Sequence, residues 1–245
     1  MKYILKILRE ENKKSFFEEF ELEYIEGSNI ISALLEIQKN PINTKNGKVL
    51  PVSFEAGCLE EVCGACSMLI NSIPMQACTT LIKPLIKNKN FITLAPLSKF
   101  DVLKDLVVDR SKIFDQLKKV HAWIDDGENK KIDPKIRDEL YELSKCMSCG
   151  VCMEACPNYN ERNDFIGPAA VSQAKLFIKH PLSKNNNKRM NEMVSKEGVF
   201  NCGNSQNCKK MCPKNIPLTE SIVEMQKASN KYFFKKIFAK FFRKN

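Results

Sequence analysis

Residues 146–157 read CMSCGVCMEACP. In this C-x2-C-x2-C-x3-C-P run, Cys146, Cys149 and Cys152 serve one iron–sulfur cluster, while Cys156, directly ahead of Pro157, is sent to a neighbouring one. A partner run is therefore required downstream. It is found at Cys202, Cys208 and Cys212-Pro213, which repeat the spacing as C-x2-S-x2-C-x3-C-P with Ser205 in the second place. Exchanging the two fourth cysteines leaves one complete set, Cys146, Cys149, Cys152 and Cys212, and one short set, Cys156, Cys202 and Cys208. The complete set suits a [4Fe-4S] cluster and the short set a [3Fe-4S] cluster. A serine hydroxyl is a harder and far less acidic ligand than a thiol, so Ser205 is read as filling space rather than holding a fourth iron.

Towards the N-terminus a third group, Cys58-x4-Cys63-x2-Cys66 with Cys78 further on, has the plant-type spacing of a [2Fe-2S] cluster. Gly57 and Gly64 allow the loop to wrap closely and turn its backbone N–H groups towards the sulfurs. Structural zinc is the competing explanation, but its usual paired C-x2-C knuckles are missing from this group. All 11 cysteines are thereby placed, and none remains as a nucleophile. Disulfides fit poorly: the number is odd, C-x2-C spacing favours metal, and the opening MKYILKILREENKK lacks a signal peptide's apolar run. A reducing cytoplasm is the expected compartment.

The class is α+β in two domains. Residues 1–100 are expected to form a [2Fe-2S] domain of the plant-type ferredoxin, β-grasp kind. Its signs are half-buried strands at Tyr3–Leu8 and Phe16–Tyr24, a helix at Ile30–Lys39 capped by Ser28 or Asn29, strands at Ser67–Ile70 and Phe91–Leu94, and turn signals at Asn71, Ser72 and Pro74. Residues 101–245 are expected to be all-α and to resemble bacterial two-cluster ferredoxins. Helical periodicity is read at Val102–Lys119, after Asp133-Pro134, at Ala169–Lys179 and at Lys188–Lys196, with an exposed polar loop at Ser183–Lys188 and a helix end at Gly198.

The formal charge of +10 suggests anionic partners, yet bound clusters with their thiolates are anionic and reduce it. No basic stripe interleaved with aromatics accompanies a nucleic-acid motif, so nucleic acid is not an expected partner. No stretch approaches a membrane span, and any membrane role is peripheral. There is no G-x-G-x-x-G fingerprint, and His121 and His180 belong to no triad or metal pattern. Flavin or pyridine nucleotide would belong to another subunit.

The blocks CLEEVCGACSM (58–68), ELSKCMSCGVCMEACPN (142–158), FIGPA (165–169) and CGNSQNCKKMCPKNIPLT (202–219) closely resemble the iron–sulfur subunit of succinate dehydrogenase and fumarate reductase. The resemblance covers nearly the whole chain. It implies an FAD-containing flavoprotein that interconverts succinate and fumarate, membrane anchor subunits that bind quinone, and electrons stepping through [2Fe-2S], [4Fe-4S] and [3Fe-4S] clusters between them. The implied location is the cytoplasmic side of the inner (plasma) membrane. At the family's quinone site Pro157 matches, whereas Asn158 replaces a serine, Gly203 replaces a histidine and residues 159–164 lack a tryptophan. This is more like the branch with a haem-containing anchor that often uses menaquinone rather than ubiquinone.

From Pro217 a helix is expected to run to the end. It sets Phe233, Phe234, Ile237, Phe238, Phe241 and Phe242 against Lys235, Lys236, Lys240, Arg243 and Lys244, a basic amphipathic tail suited to an anionic membrane, to an anchor groove or to its own domain. A soluble multi-cluster carrier, or the cluster module of another flavin dehydrogenase, is the alternative function.

Overall fold

The computed structural model describes residues 1–11, 14–124 and 131–242, without the side chains of 240–242. These residues form two compact units, Met1–Arg110 with Cys149–Glu154, and Ser111–Ser148 with Ala155–Asn245.

In the first unit, β1 (Lys2–Glu11) and β2 (Lys14–Glu23) pair antiparallel along their whole length. Tyr3, Leu5 and Ile7 alternate inward with the period-two pattern of a strand covered on one face. The inward face packs on α1 (Ile30–Lys39), which contributes Ile30, Ile31, Leu34 and Ile37 to the core. Asn29 caps this helix by accepting from the Ser32 N–H at 2.9 Å while Ser32 Oγ accepts from the Asn29 N–H, a reciprocal capping box. β3 (Ser67–Ile70), β4 (Ile73–Gln76), a short α2 (Ile82–Ile86) and β5 (Phe91–Ala95) follow. The sheet order is β2-β1-β5-β3-β4, with β1 and β5 parallel and the other neighbours antiparallel. Pro74, expected in a turn, lies in β4, where an edge strand tolerates its missing N–H.

The helix expected over Val102–Lys119 requires correction. Its first half is a hairpin of β6 (Asp101–Lys104) and β7 (Val107–Asp109), and only Ser111–Lys119 is helical. Asp105 turns the hairpin with φ +49°, which ends any helix there, and its carboxylate is held by Arg9 and the Ser53 N–H. Leu106 and Val108 are buried, so a spacing that suited a helix serves a short strand.

The second unit begins with α3 (Ser111–Lys119) and α4 (Pro134–Ser144), the latter capped by Asp133, which accepts from the Lys135 N–H, with Pro134 in the first turn. The single turn α5 (Val151–Glu154) belongs with the first unit, where Glu154 accepts from Ser98 Oγ at 2.5 Å and the Lys99 N–H at 3.0 Å. The second unit continues with β8 (Tyr159–Asn160) paired to β9 (Asn163–Asp164), α6 (Pro168–Lys179), α7 (Asn186–Met193), a 3-10 turn (Val199–Asn201), α8 (Asn207–Met211) and α9 (Leu218–Phe242). The all-α expectation is therefore corrected by one small β pair. Helix α7 starts inside the supposed polar loop 183–188, whose Ser183, Asn185 and Asn186 are half-buried. Gly198 is not a left-handed helix end, since its φ is −75°; it is glycine because a Cβ would collide with the Met193 carbonyl.

Helix α6 is the centre of this unit, buried from Pro168 to Leu176. Its Lys175, 3% exposed, reaches Glu139 of α4 at 2.8 Å and Glu224 of α9 at 3.0 Å, and Lys179 engages the same two carboxylates. Burial by itself would raise both carboxyls, but the lysine hydrogen bonds outweigh it and hold them below the usual range. Arg189, fully buried, donates to the His121 and Trp123 carbonyls and closes the end of α3.

Candidate iron–sulfur centres

The loop carrying Cys58, Cys63 and Cys66 is shaped by alternating left-handed residues, Leu59 (φ +61°), Glu61 (φ +56°) and Gly64 (φ +73°). Such conformations are strained for Leu and Glu and cluster where backbone donors must be aimed. Here they turn the N–H groups of Glu60, Val62 and Cys63 onto Cys58 Sγ at 3.4, 3.2 and 3.3 Å. Those three bonds lower the Cys58 thiol to about 7, so the chain itself favours a thiolate there. Cys63 Sγ accepts from the N–H of Cys58 at 3.4 Å and of Ala65 at 3.5 Å, and a Cβ on Gly57 would crowd this sulfur at 3.2 Å.

Cys66 and Cys78 are buried neighbours, and burial pushes the Cys66 thiol up to about 12. Iron would supply the positive charge that lets such thiols ionise. Two contacts hold the frame: Asn29 Nδ2 donates to the Cys78 carbonyl at 2.8 Å, and Arg110 bridges Glu55 (2.8 Å) and the Ala65 carbonyl (2.6 Å). Sequence spacing gave no sign of Arg110, because its role depends on where the β6–β7 hairpin delivers it.

In the second unit Cys146 and Cys212 lie close enough for their charges to repel, although burial is the larger cause raising the Cys146 thiol. Cys149 and Cys152 sit on the segment Cys149–Glu154, which packs with the first unit, where a Cβ on Gly150 (φ +86°) would press on the Phe100 ring. Cys156, Cys202 and Cys208 line one cavity that is partly open to solvent. Ser205, exposed at its edge, and Asn158, Gln206 and Thr219 also line it. Burial, followed by the charges of Cys156 and Cys202, pushes the Cys208 thiol up to about 11. Asn158 and Gly203 are complementary: a Cβ at residue 203 would meet Asn158 Oδ1 at 2.7 Å.

The described residues include all eleven cysteines, and no disulfide joins any of them. Among the same residues no three His, Cys, Asp or Glu side chains are gathered for a metal ion. Both histidines have local roles: the His121 carbonyl accepts from Arg189, and His180 Nδ1 accepts from the Leu182 N–H.

Two family models match, a 2Fe-2S iron-sulfur cluster binding domain over residues 4–115 and a 4Fe-4S dicluster domain over residues 142–216. The succinate dehydrogenase iron-sulfur subunit of Bacillus subtilis is 49% identical over 228 residues, covering 90% of this chain and 89% of that protein. The chain belongs to the succinate dehydrogenase and fumarate reductase iron–sulfur subunit family. Within it, the fumarate reductase iron-sulfur subunit of Wolinella succinogenes is 32% identical over 72% of this chain and 77% of its own. A chain of the Mycobacterium smegmatis Sdh1 complex in the apo form shares the fold, with a TM-score of 0.82 and 20% identity over 95% of this chain and 97% of that one. The cofactors of the family are [2Fe-2S], [4Fe-4S] and [3Fe-4S] clusters. No helix among the described residues is long and apolar enough to cross a membrane.

Proposed function

We propose that this chain is the electron-transfer subunit of a succinate:quinone or quinol:fumarate oxidoreductase, placed between an FAD-containing flavoprotein and a membrane anchor. The clusters supply one-electron carriers that divide a long transfer between two-electron partners into short hops. Within this reading Cys58, Cys63, Cys66 and Cys78 hold [2Fe-2S] in a β-grasp, plant-type ferredoxin domain, residues 1–100. Cys146, Cys149, Cys152 and Cys212 hold [4Fe-4S], and Cys156, Cys202 and Cys208 hold [3Fe-4S], in a bacterial-ferredoxin-like domain, residues 101–245.

The observation that carries the proposal is the cavity lined by three cysteines with Ser205 where a fourth would stand, because a mixed cluster set separates a subunit of this kind from an ordinary two-cluster carrier. Pro157 is assigned to the edge of the quinone site, with menaquinone and a haem-containing anchor favoured over ubiquinone by the Asn158 and Gly203 pair. The location is the cytoplasmic face of the inner membrane.

The tail supports the membrane side of this proposal. Helix α9 is packed through Leu218, Ile222 and Met225, but beyond Tyr232 it exposes Phe233, Phe234, Ile237 and Phe238 beside Lys235 and Lys236. Apolar side chains exposed next to cations suit an anionic membrane surface. Arg243 and Lys244, and the side chains of Lys240, Phe241 and Phe242, lie outside the described residues.

Low-temperature EPR on the anaerobically purified protein, with iron and zinc counts, tests the assignment. A [3Fe-4S] signal as isolated, joined by [2Fe-2S] and [4Fe-4S] signals after dithionite, is expected. Zinc without these signals would overturn it, and cluster signals in a chain that never co-purifies with flavoprotein or anchor would indicate a soluble carrier.

A further inference from the structure

We infer that the Thr219 hydroxyl donates a hydrogen bond to the cluster held by Cys156, Cys202 and Cys208, and that this bond raises the cluster's reduction potential; the inference rests on assigning those cysteines to [3Fe-4S]. Thr219 stands in the first turn of α9 and lines the three-cysteine cavity. Its Oγ1 is sealed from solvent and has no hydrogen-bond partner among the described residues. Two positions along, Ser221 answers the same problem by donating to the Pro217 carbonyl at 2.7 Å, which Thr219 does not do.

A buried hydroxyl left unpaired costs about 1–3 kcal/mol, so a partner is expected from whatever fills the cavity. Ser205, Asn204 and Gln206 on the same wall are exposed and can bond water, whereas Thr219 Oγ1 cannot. Pro168 and Ile222 line the cavity with apolar surface and offer the hydroxyl no acceptor. What the three cysteines would hold does offer one, in the form of anionic sulfur. A donor aimed at cluster sulfur favours the more negative, reduced state, and so moves the potential upward. The first turn of a 25-residue helix places the positive end of its dipole on the same side, which acts in the same direction.

The test is an EPR-monitored redox titration of the [3Fe-4S] signal in the assembled complex, for the natural chain and for Thr219→Val, Thr219→Ala and Thr219→Ser. Val keeps the shape and removes the donor, Ala is a second donorless variant should Val assemble poorly, and Ser restores the donor. The expected result is a lower midpoint in Val and Ala, a midpoint near the natural one in Ser, and unchanged midpoints for the other two clusters. Pulsed electron–nuclear spectra in deuterated buffer should show one exchangeable-proton coupling lost in both donorless variants and kept in Ser. Unchanged midpoints and couplings in Val and Ala would overturn this inference alone. Absence of any [3Fe-4S] signal in the natural complex would overturn the ligand assignment beneath it.

Discussion

Arg9 lies on the inward-facing alternation of β1 with Tyr3, Leu5 and Ile7, and its replacement by methionine should destabilise the first unit out of proportion to one side chain. The Arg9 side chain is 7% exposed and lies between Glu18 (2.6 Å, 9% exposed) and Asp105 (3.2 Å, 1% exposed). It also donates to the carbonyls of Leu50 and Pro51. Methionine fills comparable volume but leaves the Asp105 carboxylate buried, with the Ser53 N–H at 2.9 Å as its donor. Removing one partner of such a buried pair costs about 3–5 kcal/mol. With a urea m-value of about 2 kcal/mol per molar, the midpoint should fall by roughly 2 M. The assay is urea unfolding of the holo-protein followed by visible circular dichroism of the [2Fe-2S] centre. Asp105→Asn keeps an oxygen for the Ser53 N–H and removes the stranded charge, so it should cost less in the Arg9→Met background than in the natural chain, with a coupling on the order of 1–3 kcal/mol. A loss under about 1 kcal/mol for Arg9→Met, or strict additivity of the pair, would refute the account.

Arg110→Ala should speed loss of the [2Fe-2S] cluster to a chelator while the other two centres persist, because it frees the Ala65 carbonyl and Glu55 at both ends of the cysteine loop; equal bleaching rates would count against it. Gly198→Ala should cost about 2–3 kcal/mol, read as a lower melting temperature, since the obstructing atom is the Met193 backbone carbonyl. Gly203→Ala should be tolerated far better, because Asn158 can swing its side chain aside, and the reverse ranking would be wrong for this geometry. Deleting residues after Lys231 should shift the purified chain, free of anchor subunits, from anionic vesicles to the soluble fraction with all three cluster signals intact, and unchanged partitioning would remove the tail from membrane contact.

Much of this protein was legible in one dimension, because cluster ligation imposes a chemical spacing that short stretches of chain either have or lack. The runs at 58–78, 146–157 and 202–213 carry that spacing, and the exchange of fourth cysteines led to the three that line one cavity. Strong local signals also sufficed for β1, β2, α1 and α4, where alternation or a cap agrees with the final packing. Residues 102–109 were not legible, since Leu103, Leu106 and Val107 fit a helix until Arg9, far away in the chain, fixes Asp105 as a turn. Arg9 stands beside Glu10 and Glu11 in the sequence and is buried because its two carboxylates arrive from β2 and the β6–β7 turn. The N–H groups aimed at Cys58, the bridge made by Arg110 and the sealed hydroxyl of Thr219 likewise depend on direction. Sequence by itself determined the cysteine spacing and the grouping proposed from it, because ligand chemistry is local. Tertiary structure decided which dipoles and charges surround those atoms, because a field at a cluster is the sum over groups that only folding brings near.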